Sequence, residues 1–297
     1  MTFPVNPAAD GITPIAILLE LPSRAALRRA LAAADIGDEL DDDDDPEHFL
    51  DALSQVDLRQ TAAQARYAAP QTVHYFQVSG LTDVSPPELD DLTNSEGFGG
   101  QVHAVEELHE RVYVVCSVPE GGTQAQLSVS EDSRARTVAT FDPGTDLLVV
   151  RAADVDLAAG TVQALKDHPD LADSSRVSFR NDGFRSRFED AAVVAYEQLS
   201  LAATADTART ERIEVTGTES GESGRADVRE DDVAHDLLAS GDTQRAKAVV
   251  RLDFESNSTL PPEPRVQIDF SDSAIAFRQW VPEETFIRLD KAVRDAI

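Results

Sequence analysis

Arginines are the residues whose type and spacing could do chemistry in this chain. Residues 174–188, SSRVSFRNDGFRSRF, carry Arg176, Arg180, Arg185 and Arg187 against a single acid, Asp182. If the segment is extended, successive side chains alternate faces, so Arg176, Ser178 and Arg180 share a polar face while Val177 and Phe179 turn to a core. Arg185 and Arg187 fall at the start of a helix expected over 185–201, where the macrodipole favours acids. Guanidiniums placed against that preference point to an anionic partner, either phosphate or a carboxylate-rich surface. The competing reading is internal pairing with Asp and Glu, which are plentiful. Arg24, Arg28 and Arg29 on an N-terminal helix form a second, weaker patch, with an ordinary solvated helix face as the competing reading.

Other chemistry-bearing residues are scattered. Of the six histidines, none pairs with another at a metal-binding helical spacing; His103 and His109 are six apart, beyond one turn. No phosphate-binding glycine loop, dinucleotide fingerprint or nucleophile elbow occurs in the sequence. Asp154 with Asp156, and Asp269 with Asp272, could hold a cation, but so acidic a chain makes such pairs common by chance. Cys116 stands alone within Val112–Cys116, which excludes an intramolecular disulfide and reads as a buried strand thiol. No catalytic residue, metal ligand or cofactor is expected.

Charge is the strongest compositional signal. Asp and Glu number 55 against 26 Lys and Arg, a formal net charge of −29 over 297 residues. Lysine is confined to Lys166, Lys247 and Lys291, and the carboxylates run from Asp10 to Asp295 rather than forming one tail. Dispersed carboxylates with little lysine read as adaptation to concentrated salt. In dilute buffer their self-repulsion opposes the compact state, whereas at molar salt the Debye length is about 3 Å and the repulsion is screened. Counterion release then yields little, so net charge does not exclude a nucleic-acid partner. The best candidate for a leader, Ile15–Leu21, is short and contains Glu20, and no run approaches a membrane span. A cytoplasmic location with no membrane partner is expected.

Periodicity suggests an α+β fold in three parts. Residues 1–70 read as a small helical bundle, with helices over 24–34, from Pro46, and over 58–67. Residues 71–205 read as an α+β domain of largely antiparallel strands at 73–78, 111–118, 124–129, 135–141 and 146–151, flanked by helices over 157–167 and 185–201. Residues 206–297 read as a β-rich domain. It has strands at 212–216 and 248–254, an acidic loop over 218–232, and a hairpin in which Val266, Ile268 and Phe270 alternate with polar residues and Ile275 and Phe277 resume the apolar face. Pro282 then opens a terminal helix carrying Phe286, Leu289 and Val293.

Element order resembles the inner-kinetochore CENP-N family. The comparable pieces are QARYAAPQTVHYFQV (64–78), the strands over 111–151, VRAADVDLAAGTVQALKDHPDL (150–171) and FRSRFEDAAVVAYEQL (184–199). The resemblance implies an N-terminal helical domain and adjoining sheet that contact nucleosomal DNA and histone, and a C-terminal β-rich part that dimerises and binds a related partner. Residues and resemblance together lead to the expectation of a non-enzymatic interaction protein. It would take nucleic acid or an anionic protein on Arg176–Arg187 and associate with a protein partner through the C-terminal hairpin and helix. The alternative is an enzyme with a cation-dependent carboxylate site.

Overall fold

The valine-rich apolar runs in the middle of the chain are short, bounded by turn residues and β-branched, and they form strands. The computed structural model describes residues 14–19, 24–34, 36, 40, 45–65, 72–85, 88–89, 100–108, 110–119, 134–166, 168, 170–203, 212–218, 227–239, 243–253, 264–277 and 281–297. These residues form an α+β fold whose strands pair antiparallel within each of two compact units. One unit comprises Met1–Val177 with Gln279–Ile287, the other Ser178–Arg278 with Arg288–Ile297.

The first unit begins with helices α1 (Pro14–Leu19), α2 (Arg24–Ala33), α3 (Pro46–Ala52) and α4 (Gln55–Ala65). In α2, Leu27 and Leu31 are buried on the expected face, as is Ala34 just beyond it. The α1 segment is the apolar stretch weighed above as a leader.

Strands β1 (Thr72–Val78), β2 (Gln101–Leu108), β3 (Arg111–Pro119), β4 (Arg134–Phe141) and β5 (Leu147–Arg151) follow, in spatial order β2-β3-β4-β5-β1. A short β6 (Ser174–Arg176) also pairs with β1. One sheet face, with Val114, Cys116, Phe141, Leu148 and Val150, packs on Leu157, Val162 and Leu165 of α5 (Val155–Leu165). Burying each such side chain contributes about 1.5–3 kcal/mol relative to exposure. Cys116 sits in this core, and burial pushes its thiol up to about 12. The strand expected at 124–129 lies outside the described residues, and β2 was not anticipated.

Gly80 turns the chain after β1 with φ +88°, and a Cβ there would lie 1.9 Å from the Asp170 carbonyl oxygen. Only glycine accommodates both the conformation and the approach.

In the second unit the sequence reading needs correction. The helix expected over 185–201 ends early: α6 spans Asp182–Ala192, and β7 (Val193–Ala203) follows without a loop. The apolar spacing of three between Tyr196 and Leu199 looks helical but comes from an extra residue in the strand. Tyr196 pairs with Val250 and Leu199 with Ala248, so three steps on one strand match two on the other. A β-bulge keeps both side chains on one face while breaking the period of two.

Strands β8 (Arg212–Thr216), β9 (Thr243–Leu252), β10 (Arg265–Asp269) and β11 (Ala274–Phe277) complete a β11-β10-β9-β7-β8 order, and α7 (Asp232–Ala239) lies between β8 and β9 in sequence. A boundary at 205/206 would fall between β7 and β8, which pair with each other. The terminal hairpin is confirmed at β10–β11, with Val266, Ile268, Ile275 and Phe277 buried. Its expected use as an association edge is not supported by this geometry, because β10 already pairs with β9 as well as β11. The terminal helix α8 (Glu283–Ala296) likewise buries Phe286, Leu289 and Val293 within the chain. Among the described residues no helix is long and apolar enough to cross a membrane.

Candidate anionic-ligand site

The arginine segment is held by its apolar residues. Phe179, Phe184 and Phe188 stack with nearly parallel rings, 4.9 Å between the first two centroids and 6.0 Å between the last two. The Phe179 N–H donates to the Ser273 hydroxyl at 3.1 Å, and Asn181 caps α6 by accepting from the Gly183 and Phe184 N–H groups. Arg180 is thus the exposed residue between a buried aromatic anchor and a helix cap. The outward Arg176, Ser178 and Arg180 and the inward Val177 and Phe179 follow the expected alternation.

The four arginines do not act together. Arg180 has no hydrogen-bond or ion-pair partner among the described residues. Arg185 pairs with Asp182 at 2.5 Å and with Glu189 at 3.6 Å. Arg187 donates to the carbonyls of Ala296 at 2.8 Å and Ile297 at 3.3 Å, satisfying oxygens at the end of α8 that lack intrahelical partners. The two helix-start arginines therefore have internal partners, which accounts for positions that looked unfavourable. Arg176 is exposed on β6 in the other unit. In the N-terminal patch, Arg24 and Arg28 are half-buried, and Arg28 Nε donates to the Leu40 carbonyl at 2.9 Å. The Arg29 side chain lies outside the described residues.

A further arginine, not anticipated from the sequence, joins Arg180 and Arg185. Arg245 on β9 donates to Glu189 Oε1 at 2.6 Å and to the Tyr196 hydroxyl at 3.3 Å, and Tyr196 in turn donates to the same carboxylate at 2.6 Å. Arg229 approaches Glu189 at 4.0 Å and is held by Asp227 at 2.6 Å; its guanidinium and that of Arg245 lie 5.1 and 5.4 Å from the Tyr196 ring centroid. Burial and the adjacent Glu189 push the Tyr196 hydroxyl far up, so it stays protonated as a donor. Burial alone would raise Asp227, but the bonds from Arg229 outweigh it and hold the carboxyl below its ordinary range. Arg180, Arg185 and Arg245 line a depression of about 340 Å³ with Asp182, Leu238, Thr243, Gln244 and Phe270. Arg245 and Glu189 are 56 residues apart, and only the pairing of β7 with β9 brings them together.

A second charged cluster lies in the first unit and is sealed. Arg151 and Glu283 are both wholly buried, and the guanidinium meets the carboxylate through both terminal nitrogens, one bond measuring 2.7 Å. The Tyr113 hydroxyl donates to the same carboxylate at 2.7 Å, and the Phe286 ring lies 4.3 Å from the guanidinium carbon. Burial favours protonated Glu283, but Arg151 dominates, with help from Arg111 and Tyr113, and the carboxyl stays below its ordinary range.

One member of each carboxylate pair weighed as a cation ligand is bound to the backbone or to a lysine instead. Asp154 caps α5 by accepting from the Leu157 N–H at 2.9 Å. Asp269 pairs with Lys247 at 2.6 Å and accepts from the Ser271 and Asp272 N–H groups. Among the described residues there is no group of three or more His, Cys, Asp or Glu that could hold a metal ion. No family model matches the chain, and no curated protein matches it.

Proposed function

We propose that the chain is a non-enzymatic interaction protein of a salt-adapted organism, working in the cytoplasm, that takes an anionic partner on the surface formed by Arg180, Arg185 and Arg245. The observation that carries this reading is Arg180, an exposed guanidinium without a partner among the described residues, at the rim of a depression lined by two more arginines in a chain of net charge −29. A guanidinium with no internal partner among the described residues is available to a phosphate or carboxylate, and two more arginines in the same depression give that contact a place. The partner class is nucleic acid or a protein on chromosomal DNA. The CENP-N-like order of elements favours that choice.

The test is binding of DNA and RNA fragments in molar KCl. Replacing Arg180 and Arg185 by Ala should abolish binding, while the singly exposed Arg176→Ala should reduce it little. Unchanged binding in the double variant overturns the proposed surface, and no binding by the parent protein overturns the nucleic-acid partner. Salt adaptation is tested separately by circular dichroism, which should report loss of tertiary packing on dialysis into dilute buffer.

A further inference from the structure

We infer that the depression between α6, α7 and the start of β9 is a seat for one phosphoryl group, with Arg245 as its fixed anchor, Arg185 as an exchangeable contact and Arg180 as the arm at the rim. This rests on the reading of the surface as an anion-binding face and specifies which group of the partner is gripped.

The three guanidiniums differ in how firmly they are held, and the difference suits capture of an oxyanion. Arg245 is 16% exposed and is oriented by Glu189 and by the Tyr196 hydroxyl and ring, so little side-chain freedom remains to be lost on binding. Arg185 is 24% exposed, and its short contact is to Asp182, which is 85% exposed. An ion pair of that kind exchanges readily with water and ions, so an incoming anion can take the place of Asp182. Arg180 is exposed and brings a guanidinium with no internal partner among the described residues. Three guanidiniums stand against Asp182 and Glu189, which leaves one positive charge over at the site.

Geometry selects the ligand. Two planar guanidiniums from the Arg180–Arg185 segment and one from β9 together supply several N–H donors, and a tetrahedral phosphoryl group has the oxygens to meet them, whereas a carboxylate offers two in one plane. Chloride, abundant in brine, carries one charge without directed acceptors and gains little from oriented donors. Long-range attraction is screened at molar salt, so binding there depends on such short contacts. The Thr243 hydroxyl is committed to the Leu237 carbonyl at 2.7 Å, leaving the Gln244 amide as the neutral polar group of the lining. About 340 Å³ is more than one phosphate fills, and the buried Phe270 with Leu238 gives an apolar wall beside the arginines. A phosphate ester, either a small one or a link of a nucleic-acid backbone, fits this chemistry.

The experiment titrates inorganic phosphate and, in parallel, a single-stranded oligonucleotide into the full chain in molar KCl, followed by calorimetry and phosphorus NMR. Arg180→Ala should weaken phosphate at least about tenfold, the loss of a charge-assisted contact, with Arg180→Lys intermediate because it keeps charge but not the fork. Arg180 is exposed, so an unchanged circular dichroism spectrum is expected in both variants. Phosphate binding that depends on Arg180, with no oligonucleotide binding, supports the seat and overturns the nucleic-acid partner in favour of a small phosphate ester. Oligonucleotide binding insensitive to Arg180→Ala, with no phosphate binding, overturns the seat and leaves the wider anion-binding surface standing. Binding of neither ligand overturns both.

Discussion

The two arginine clusters solve opposite problems with the same side chain. In the first unit, Arg151 is wholly enclosed, and every nearby group closes on it: Glu283 through two bonds, Tyr113 onto the same carboxylate, and Phe286 against the guanidinium face. Desolvating an ion is so costly that a charge at such a position persists only with its counterion and supporting hydrogen bonds. In the second unit, Arg185 and Arg245 are only partly covered, share Glu189, and stand beside Arg180. Water does part of the work of solvating them, so their pairing can be incomplete. A sealed cluster fixes a fold; an open one keeps binding capacity.

The largest effect should come from opening the sealed cluster. Glu283→Ala leaves the Arg151 charge buried without its carboxylate and should cost about 3–5 kcal/mol, read from denaturant unfolding at constant high salt. Replacing the pair together, Arg151→Met with Glu283→Leu, should recover most of that loss. If the double variant is no better than the single one, desolvation is not what governs the site.

Acid should act through the same pair. The folded-state value of Glu283 lies below its ordinary 4.5, so the stability it contributes is present above that value and is lost as pH falls through the depressed one. The melting temperature should therefore fall below about pH 4.5 and fall less steeply in Glu283→Gln; equal slopes would show that other carboxylates dominate. Next in size is Arg187→Ala, which removes two bonds to the carbonyls at the end of α8 and should cost about 1 kcal/mol by thermal unfolding. Smallest is Asp182→Asn at the open cluster. Stability should move by less than about 0.5 kcal/mol, since the partner is mostly solvated. Phosphate affinity should nevertheless rise a few-fold as Arg185 is released. A large stability loss there would mean that the two clusters are alike after all.

Short-range pattern made half of this site legible. The alternation of Arg176, Ser178 and Arg180 with Val177 and Phe179 could be read from five consecutive residues, because period-two burial is a local property. Arg245, Arg229 and Glu189 could not be so read, since what joins them is strand pairing across dozens of residues. The Arg151–Glu283 pair spans 132 positions and was invisible for the same reason, although the helix that carries Glu283 was anticipated from Pro282 and its apolar stripe.

Irregular strands caused the main errors. In β7 the register shifts beside Tyr196 and near both ends, which converts a strand's spacing into one that resembles a helix. In β2 a shift between Val102 and Ala104 breaks the alternation that would have revealed it. Hairpin β10–β11, which has no such shift, was plain from its sequence.

The turn at Gly80 has a different reach. Because the obstacle is the backbone oxygen of residue 170 rather than any side chain, no compensating change at Asp170 could make room for a larger residue. Descent from a common ancestor should thus leave an asymmetric trace: an immutable position 80 opposite a freely drifting position 170, with no covariation between them despite their closeness. That trace would help to recognise distant kin whose other residues have all changed.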